Sequence, residues 1–176
     1  MNILHDINPK RITKEEFIAV IEIPQGSKKK YEIDKETGML ILDRFLTTSF
    51  RYPVNYGFIP LTHCQDNDPM DVLVLAQENL APLTLVKCRP LAVIKMIDDN
   101  ELDEKIIAVP VSDAAFKNFH DLSDISVSLL SEIKHFFLNY KALEKKSVII
   151  EGIQGKNEAY QAIQKSIIAY RKLKKD

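Results

Sequence analysis

Short apolar runs with the character of β-strands dominate the first two thirds of the chain. Apolar, β-branched runs are typical of buried strands, and strict alternation of polar and apolar residues is typical of half-buried ones. The predicted strands are residues 17–24, 30–34 (which alternate), 39–43, 72–76, 86–97 (broken at Pro90), 106–109 and 148–150. Residues 52–59 contain Pro53 and Gly57, which predicts an irregular segment or an edge strand.

Helical periodicity appears only in the last third of the chain. Apolar residues recur there at spacings of three and four, which is the signature of an amphipathic helix. One stripe consists of Leu129, Ile133, Phe136, Tyr140 and Leu143, and the other of Tyr160, Ile163, Ile167 and Tyr170. Ser126 or Ser128 could cap the first helix, and Asn157 could cap the second.

Many short strands followed by two helices predict a mainly β fold of the α+β class. A small closed or nearly closed barrel with the helices packed outside suits this order better than alternating βαβ units. The 176 residues contain no repeat, low-complexity tract or linker, so we expect a single domain over residues 1–176.

The composition excludes several classes of partner. With 24 basic and 25 acidic residues the net charge is −1, which gives no general attraction to nucleic acid or anionic lipid. The apolar runs reach only five residues, so no membrane span is predicted. The first residues lack the apolar core of a signal peptide, and Cys64 and Cys88 are too few for a disulfide framework. We therefore expect a cytoplasmic protein with reduced thiols.

Carboxylate side chains are concentrated in two acidic clusters, which are the first candidates for a functional site. Residues 66–72 read DNDPMDV, and a second cluster of five carboxylates spans residues 98–104. Taken alone, the second cluster is more typical of a solvated loop. The first leads directly into an apolar strand, which places at least one acid at the edge of the core. Carboxylates at this density favour a hard cation such as Mg²⁺, Mn²⁺ or Ca²⁺ over Zn²⁺.

Other metal and phosphate motifs fit less well. An EF-hand starting at Asp66 would place Met70 at position 5 and Gln77 at position 12, neither of which is the required ligand. His63 and Cys64 adjoin the cluster, but no zinc-type spacing accompanies them. The chain has no glycine-rich phosphate loop. A Ser-His-Asp triad stays open, although no nucleophile elbow marks one.

The chain also contains a set of basic and phenolic residues that could act together with the acidic clusters. Each member has an ordinary alternative role: Arg44 could simply pair with Asp43, and Tyr140 could simply be core. Together with carboxylates that hold a metal, such donors are what the hydrolysis of a phosphoanhydride requires. The members are Lys30, Arg44, Tyr52, Tyr56, Lys105, Tyr140 and Lys141.

Eight motifs, in order and in register, resemble the soluble family I inorganic pyrophosphatases of the bacterial type. They are VIEIPQG, KYEID, LDRF, YPVNYGFIP, DNDPMDV, CRPLAVIKMID, DEKIIAVP and HFFLNYK, and the likeness extends over about residues 17–145. The resemblance implies a five-stranded OB-like closed barrel with two main helices outside. It also implies Mg²⁺-dependent hydrolysis of pyrophosphate to two phosphates by direct attack of a metal-activated water.

The resemblance also implies roles for individual residues. Asp68 matches the general base. The implied metal ligands are Asp66, Asp71 (bridging), Asp98 and Asp103; the implied substrate-binding residues are Lys30, Arg44, Tyr56, Lys105, Tyr140 and Lys141; the implied supporting residues are Glu22, Glu32 and Tyr52. Mg²⁺ is the implied cofactor, with Mn²⁺ or Zn²⁺ as substitutes and Ca²⁺ as an inhibitor. A homohexamer is implied, with pyrophosphate as substrate and without nucleic-acid or membrane partners.

Three positions depart from the family pattern. Asn67 stands in place of the more frequent Gly, Asp99 in place of Glu, and Asn139 in place of a His near the helix that joins subunits. Two alternatives remain at this point: a nucleic-acid-binding OB-like barrel, and an inactive metal-binding member of the same family. A cavity rich in carboxylates would disfavour the first, because strand-binding grooves are basic.

Overall fold

Five strands close into a ring, and a sixth strand extends it. The computed structural model describes residues 2–174. The ring strands are β1 (Phe17–Ile23), β4 (Asn55–Ile59), β5 (Met70–Val74), β6 (Leu85–Asp98) and β7 (Glu101–Pro110), with β2 (Lys29–Ile33) and β3 (Leu40–Phe45) forming a separate hairpin and β8 (Val148–Gln154) pairing with β6. The order around the ring is β1-β4-β5-β7-β6, and β6 returns to β1. The predicted mainly β, five-stranded closed fold is confirmed.

Two helices cover the ring from outside, as predicted. They are α1 (Val127–Asn139) and α2 (Lys156–Leu173), and short 3₁₀ turns lie at Pro9–Arg11, Ala114–Phe116, Leu122–Asp124 and Ala142–Glu144. Ile133 of α1 packs in a core cluster with Leu73 of β5, and Ile163 of α2 packs in a second cluster with Phe17 of β1. Within residues 2–174, neither helix combines the length and apolar character needed to cross a bilayer.

Local sequence explains most of the element boundaries. All seven residues of β1 are buried because ring neighbours and helix leave neither face to solvent, so its sequence is apolar almost throughout. The Ser126 side chain accepts a hydrogen bond from the Leu129 amide, which begins α1 as predicted. The N-cap of α2 is Gly155, so the prediction of Asn157 as cap is wrong by two residues.

Several strand predictions need correction. The run at 86–97 is not broken at Pro90: β6 continues through it, and the register shifts between Pro90 and Ala92, as at a β-bulge. The cluster at 98–104 is not a solvated loop, because Asp98 ends β6 and Asp103 lies in β7; Asp99 and Asn100 form the turn between them. Strand β4 is not an edge strand, since it pairs with both β1 and β5.

Gly57 explains how β4 can lie inside the ring. A Cβ at this position would lie 1.8 Å from the carbonyl oxygen of Val20 and 2.9 Å from Cα of Ile21, so only glycine permits this approach of β4 to β1. The residue that suggested an irregular segment is therefore the one that allows an interior strand.

Replacing Gly57 with alanine should lower the free energy of unfolding by about 3 kcal/mol or prevent folding, because backbone atoms of β1 cannot move aside cheaply. Urea unfolding would measure the loss. Gly152→Ala in β8 is the matched control, since its added Cβ would meet nothing within 4 Å. Equal unfolding free energies for the two variants would contradict this account of β4.

Candidate active site

A cavity of about 350 Å³ opens where the ring, the β2–β3 hairpin and the end of α1 meet. Its charged lining is Glu22, Glu32, Asp66, Asp68, Asp71, Asp98 and Asp103 on the acidic side and Lys30, Lys35, Lys105 and Lys141 on the basic side, with Tyr31, Tyr56 and Tyr140 as phenols. Both acidic clusters of the sequence therefore face one space, and carboxylates outnumber the ammonium groups.

Lys105 lies at the centre of the acidic wall. Strands β5 and β7 are parallel neighbours with Asp71 opposite Lys105, and Asp103 is two residues away on the same face of β7. The Lys105 ammonium donates to Asp71 Oδ2 at 2.6 Å, to Asp103 Oδ1 at 2.9 Å and to the Tyr56 hydroxyl at 3.0 Å. Burial alone would lower the pKa of Lys105, but Asp71, Tyr56 and Asp103 outweigh it and raise that pKa well above its ordinary value.

Burial disfavours the ionised form of two carboxylates in this wall of the cavity, Asp66 and Asp103. Burial raises the pKa of Asp66 to about 6, and the charge of Asp71 adds to the shift. Burial also raises the pKa of Asp103, with Asp71 and Asp98 adding to it and Lys105 opposing it. Groups whose ionised form is disfavoured in this way gain from a cation placed between them.

A tight loop positions Asp66 and Asp68. Asn67 adopts a left-handed backbone conformation with φ 63°, which asparagine tolerates better than most residues. The Asp68 amide donates to Asp66 Oδ1 at 3.0 Å, and the Cys64 amide donates to the Asp68 carbonyl at 2.8 Å. The Met70 amide donates to Thr62 Oγ1 at 2.8 Å, which fixes the loop where β5 begins.

Two more lysines of the lining, Lys30 and Lys141, each lie beside carboxylates. Lys30 of β2 pairs with Glu32 and with Asp43 of β3, the latter at 3.0 Å. Lys141, just after α1, pairs with Asp98. Asp98 Oδ1 is buried and has no hydrogen-bond partner among the described residues, so it keeps a lone pair directed at no protein donor.

Two of the predicted site residues do not line this cavity. Arg44 of β3 contacts Asp43 at 2.9 Å and Glu144 at 3.3 Å, which fits the simple ion-pair interpretation. Tyr52 is buried behind Tyr56, with 5.5 Å between the ring centroids. The cavity brings the remaining predicted residues together.

Two polar lining residues, Tyr31 and Lys35, were not among the predicted site residues. Lys35 Nζ lies 2.5 Å from Asp68 Oδ1. Nothing in the sequence distinguishes this lysine from its solvated neighbours, because its contact depends on a turn packing against a distant loop.

The side chains present fit a hard divalent cation. Asp66, Asp71, Asp98 and Asp103 offer oxygen ligands of the type that Mg²⁺ prefers. The raised pKa values of Asp66 and Asp103, and the unpartnered oxygen of Asp98, are features of an anionic site that would gain from a bound cation. Within residues 2–174, no three acidic, His or Cys side chains already converge as a metal site, since Asp71 and Asp103 turn towards Lys105.

Glu22 supplies a test of these electrostatics in the metal-free protein. Its carboxylate in β1 accepts from the Ile33 amide at 3.0 Å, and burial, with Asp71 adding, raises its pKa to about 8. A folded-state pKa above the unfolded value of 4.5 means that stability is greatest below 4.5 and falls as the pH rises through 8.

Replacing Glu22 with glutamine should remove this loss, which is on the order of 4 kcal/mol between pH 4.5 and 8. The amide keeps an acceptor for Ile33 without a charge to bury. Denaturant unfolding in EDTA at several pH values would measure it. Parallel stability profiles for wild type and variant would contradict the assignment.

Comparison with known proteins identifies the family of this chain. The family model described as inorganic pyrophosphatase matches residues 19–171. The chain is 44% identical over 167 residues to soluble inorganic pyrophosphatase 2 of Chlamydomonas reinhardtii, covering 95% of this chain and 87% of that one. It is 43% identical over 170 residues to the inorganic pyrophosphatase of Aquifex pyrophilus, covering 95% and 96%.

A solved structure gives the same answer for the fold. The inorganic pyrophosphatase of Coxiella burnetii superposes with a TM-score of 0.87 at 44% identity, covering 90% of this chain and 96% of that chain. The resemblance drawn from the eight motifs is therefore confirmed. This chain belongs to the inorganic pyrophosphatase family.

Proposed function

We propose that this protein hydrolyses pyrophosphate to two phosphates in a Mg²⁺-dependent reaction. The observation that carries the proposal is the convergence of acidic side chains from β5, β6, β7 and the 66–69 loop on a cavity that four lysines also line. Family membership supports the same activity. A site of this kind can hold cations and a polyanion side by side.

The proposed metal ligands are Asp66, Asp71, Asp98 and Asp103. Bound Mg²⁺ would neutralise phosphate charge and lower the pKa of a coordinated water towards 7. Asp71 and Asp103 would exchange part of their contact with Lys105 for this cation, and the free Asp98 oxygen needs no exchange. Mn²⁺ or Zn²⁺ are proposed substitutes, and Ca²⁺ a proposed inhibitor.

Asp68 is the proposed general base. Its side chain is 51% exposed and lies on the loop between two proposed ligands, so a water in the cavity can reach it. A carboxylate that is not fully committed to metal can take the proton from the attacking water. No covalent nucleophile is needed for this chemistry.

The proposed phosphate-binding residues are Lys30, Arg44, Tyr56, Lys105, Tyr140 and Lys141. The lysines supply compact charges, and the tyrosines orient oxygens without adding charge. Arg44 stands apart from the cavity lining and its Nε lies 3.3 Å from Glu144 Oε1, but its Nη2 is buried without a hydrogen-bond partner among residues 2–174. This donor supports a role for Arg44 towards phosphate once substrate enters. Glu22, Glu32 and Tyr52 are proposed to support the site.

Assembly and compartment are further proposals. We propose a homohexamer in the cytoplasm. Exposed apolar side chains such as Met39, Phe45 and Val127 support self-association. Cys64 and Cys88, both free thiols, support a reducing compartment.

Phosphate release from pyrophosphate tests the activity directly. Purified protein should release two phosphates per pyrophosphate with Mg²⁺ present and almost none with excess EDTA. Release at the uncatalysed rate under both conditions would overturn the proposal. The alternative of an oligonucleotide-binding barrel is disfavoured by the acidic lining of the cavity.

A further inference from the structure

Lys35 reaches the cavity from a different element than the other lysines. It lies on the turn between β2 and β3, and its ammonium contacts two groups of the 66–69 loop. Nζ lies 2.5 Å from Asp68 Oδ1 and donates to the Asn67 carbonyl oxygen at 3.3 Å. One flexible cation therefore joins the hairpin to the loop that presents the proposed base.

Exposure separates Lys35 from the other cavity lysines. Its side chain is 63% exposed, compared with 4% for Lys105, 13% for Lys141 and 19% for Lys30. Asp68 is also half-exposed, and ion pairs between such exposed groups contribute little to stability. The Lys35 ammonium can therefore leave Asp68 at small cost, which the buried, doubly paired Lys105 cannot.

The backbone beneath Lys35 is held firmly. The Asp34 carboxylate accepts from the Thr37 amide at 3.1 Å, and the Gly38 amide donates to the Asp34 carbonyl at 2.8 Å. Asn2 Nδ2 donates to the Lys35 carbonyl at 3.2 Å. Because the backbone of Lys35 is fixed and its four-carbon side chain is flexible, the ammonium can reach several positions in the cavity while Cα stays in place.

We propose that Lys35 is a further substrate-binding residue, whose ammonium pairs with Asp68 before substrate enters and moves to a phosphate oxygen when pyrophosphate binds. The incoming polyanion carries more negative charge than a single carboxylate and attracts Lys35, the most exposed of the four lysines that line the cavity among residues 2–174. The move also frees Asp68 for its proposed role. This inference rests on the proposed pyrophosphatase function.

Kinetics of two substitutions test it. Lys35→Met should raise the KM for magnesium pyrophosphate about tenfold, the value of one charge-assisted contact to phosphate, with kcat changing less than about threefold. Lys35→Arg should restore most of the KM, because arginine keeps both charge and reach. A purely structural role for Lys35 would not produce this split or this rescue.

Lys87→Met is the matched control. Lys87 is 59% exposed and lies 2.5 Å from Glu16 Oε2, so its ion pair resembles that of Lys35 but lies outside the cavity. We expect its KM to equal that of wild type, and both methionine variants to unfold at the wild-type temperature in EDTA. An unchanged KM in Lys35→Met, or an equal rise in Lys87→Met, would overturn the substrate-binding role of Lys35 and leave the proposed function standing. Inactive wild-type protein would overturn the proposed function as well.

Discussion

Asp68→Asn should lower kcat for pyrophosphate hydrolysis by about 10²–10⁴-fold, the range that a positioned general base contributes. The amide keeps the size of the side chain but cannot take a proton. Its loop is held by backbone hydrogen bonds from Cys64 and by the start of β5, so the substitution should leave the fold intact. The Mg²⁺ concentration for half-maximal rate should stay close to that of wild type.

Glu16→Gln is a suitable control for Asp68→Asn. Glu16 is likewise exposed and lies 2.5 Å from a lysine, Lys87, but it is remote from the cavity lining. Its kcat should equal that of wild type. Steady-state rates at saturating Mg²⁺ and pyrophosphate give the comparison. If Asp68→Asn turns over as fast as Glu16→Gln, Asp68 is not the base.

Asp71→Asn should raise the Mg²⁺ concentration needed for half-maximal activity by at least about tenfold, the smallest loss typical even of groups that merely support a ligand. Asp71 is the proposed bridging ligand, so one lost charge weakens the hold on two cations. The same substitution removes a counter-ion from buried Lys105, whose ammonium lies 2.6 Å from Asp71 Oδ2. We therefore also expect a lower unfolding temperature in EDTA.

Two readouts separate these effects of Asp71→Asn. Activity measured across a Mg²⁺ titration reports the metal requirement, and calorimetric Mn²⁺ binding to the folded variant reports affinity without turnover. The unfolding temperature in EDTA reports the loss at Lys105. A folded variant with the wild-type Mg²⁺ dependence would remove Asp71 from the metal site.

Hydrophobic pattern and residue propensity correctly predicted a strand that is buried on both faces and a helix that is buried along one apolar stripe. Strand β1 is apolar because both faces are covered, and the stripe from Leu129 to Phe136 marks α1. Strand β4 was misjudged because Gly57 is unfavourable in an isolated strand yet required where β1 approaches closely. Strand β6 was misjudged because a bulge absorbs Pro90, and a bulge depends on pairing with β7 rather than on local sequence.

The residues of the candidate site and their roles were implied by the resemblance of eight motifs to the family, whereas residue types alone indicated only carboxylates for a hard cation beside basic and phenolic groups. Sequence could not show that Asp71 and Asp103 share Lys105, because that contact follows from the parallel register of β5 and β7. It also gave no signal for Lys35, which contacts Asp68 across two separate turns. Arg44 belongs to the family motif LDRF, but the sequence could not show its ion pair with Glu144, which lies on a distant 3₁₀ turn.

Anomalous diffraction from crystals soaked in Mn²⁺ tests the central claim most directly, because it locates the cations without any assumption about turnover. We expect anomalous peaks within coordination distance of the carboxylates of Asp66, Asp71 and Asp103, inside the cavity that Lys105 and Lys141 border. Peaks confined to the outer surface, with these three carboxylates uncoordinated at saturating Mn²⁺, would contradict it.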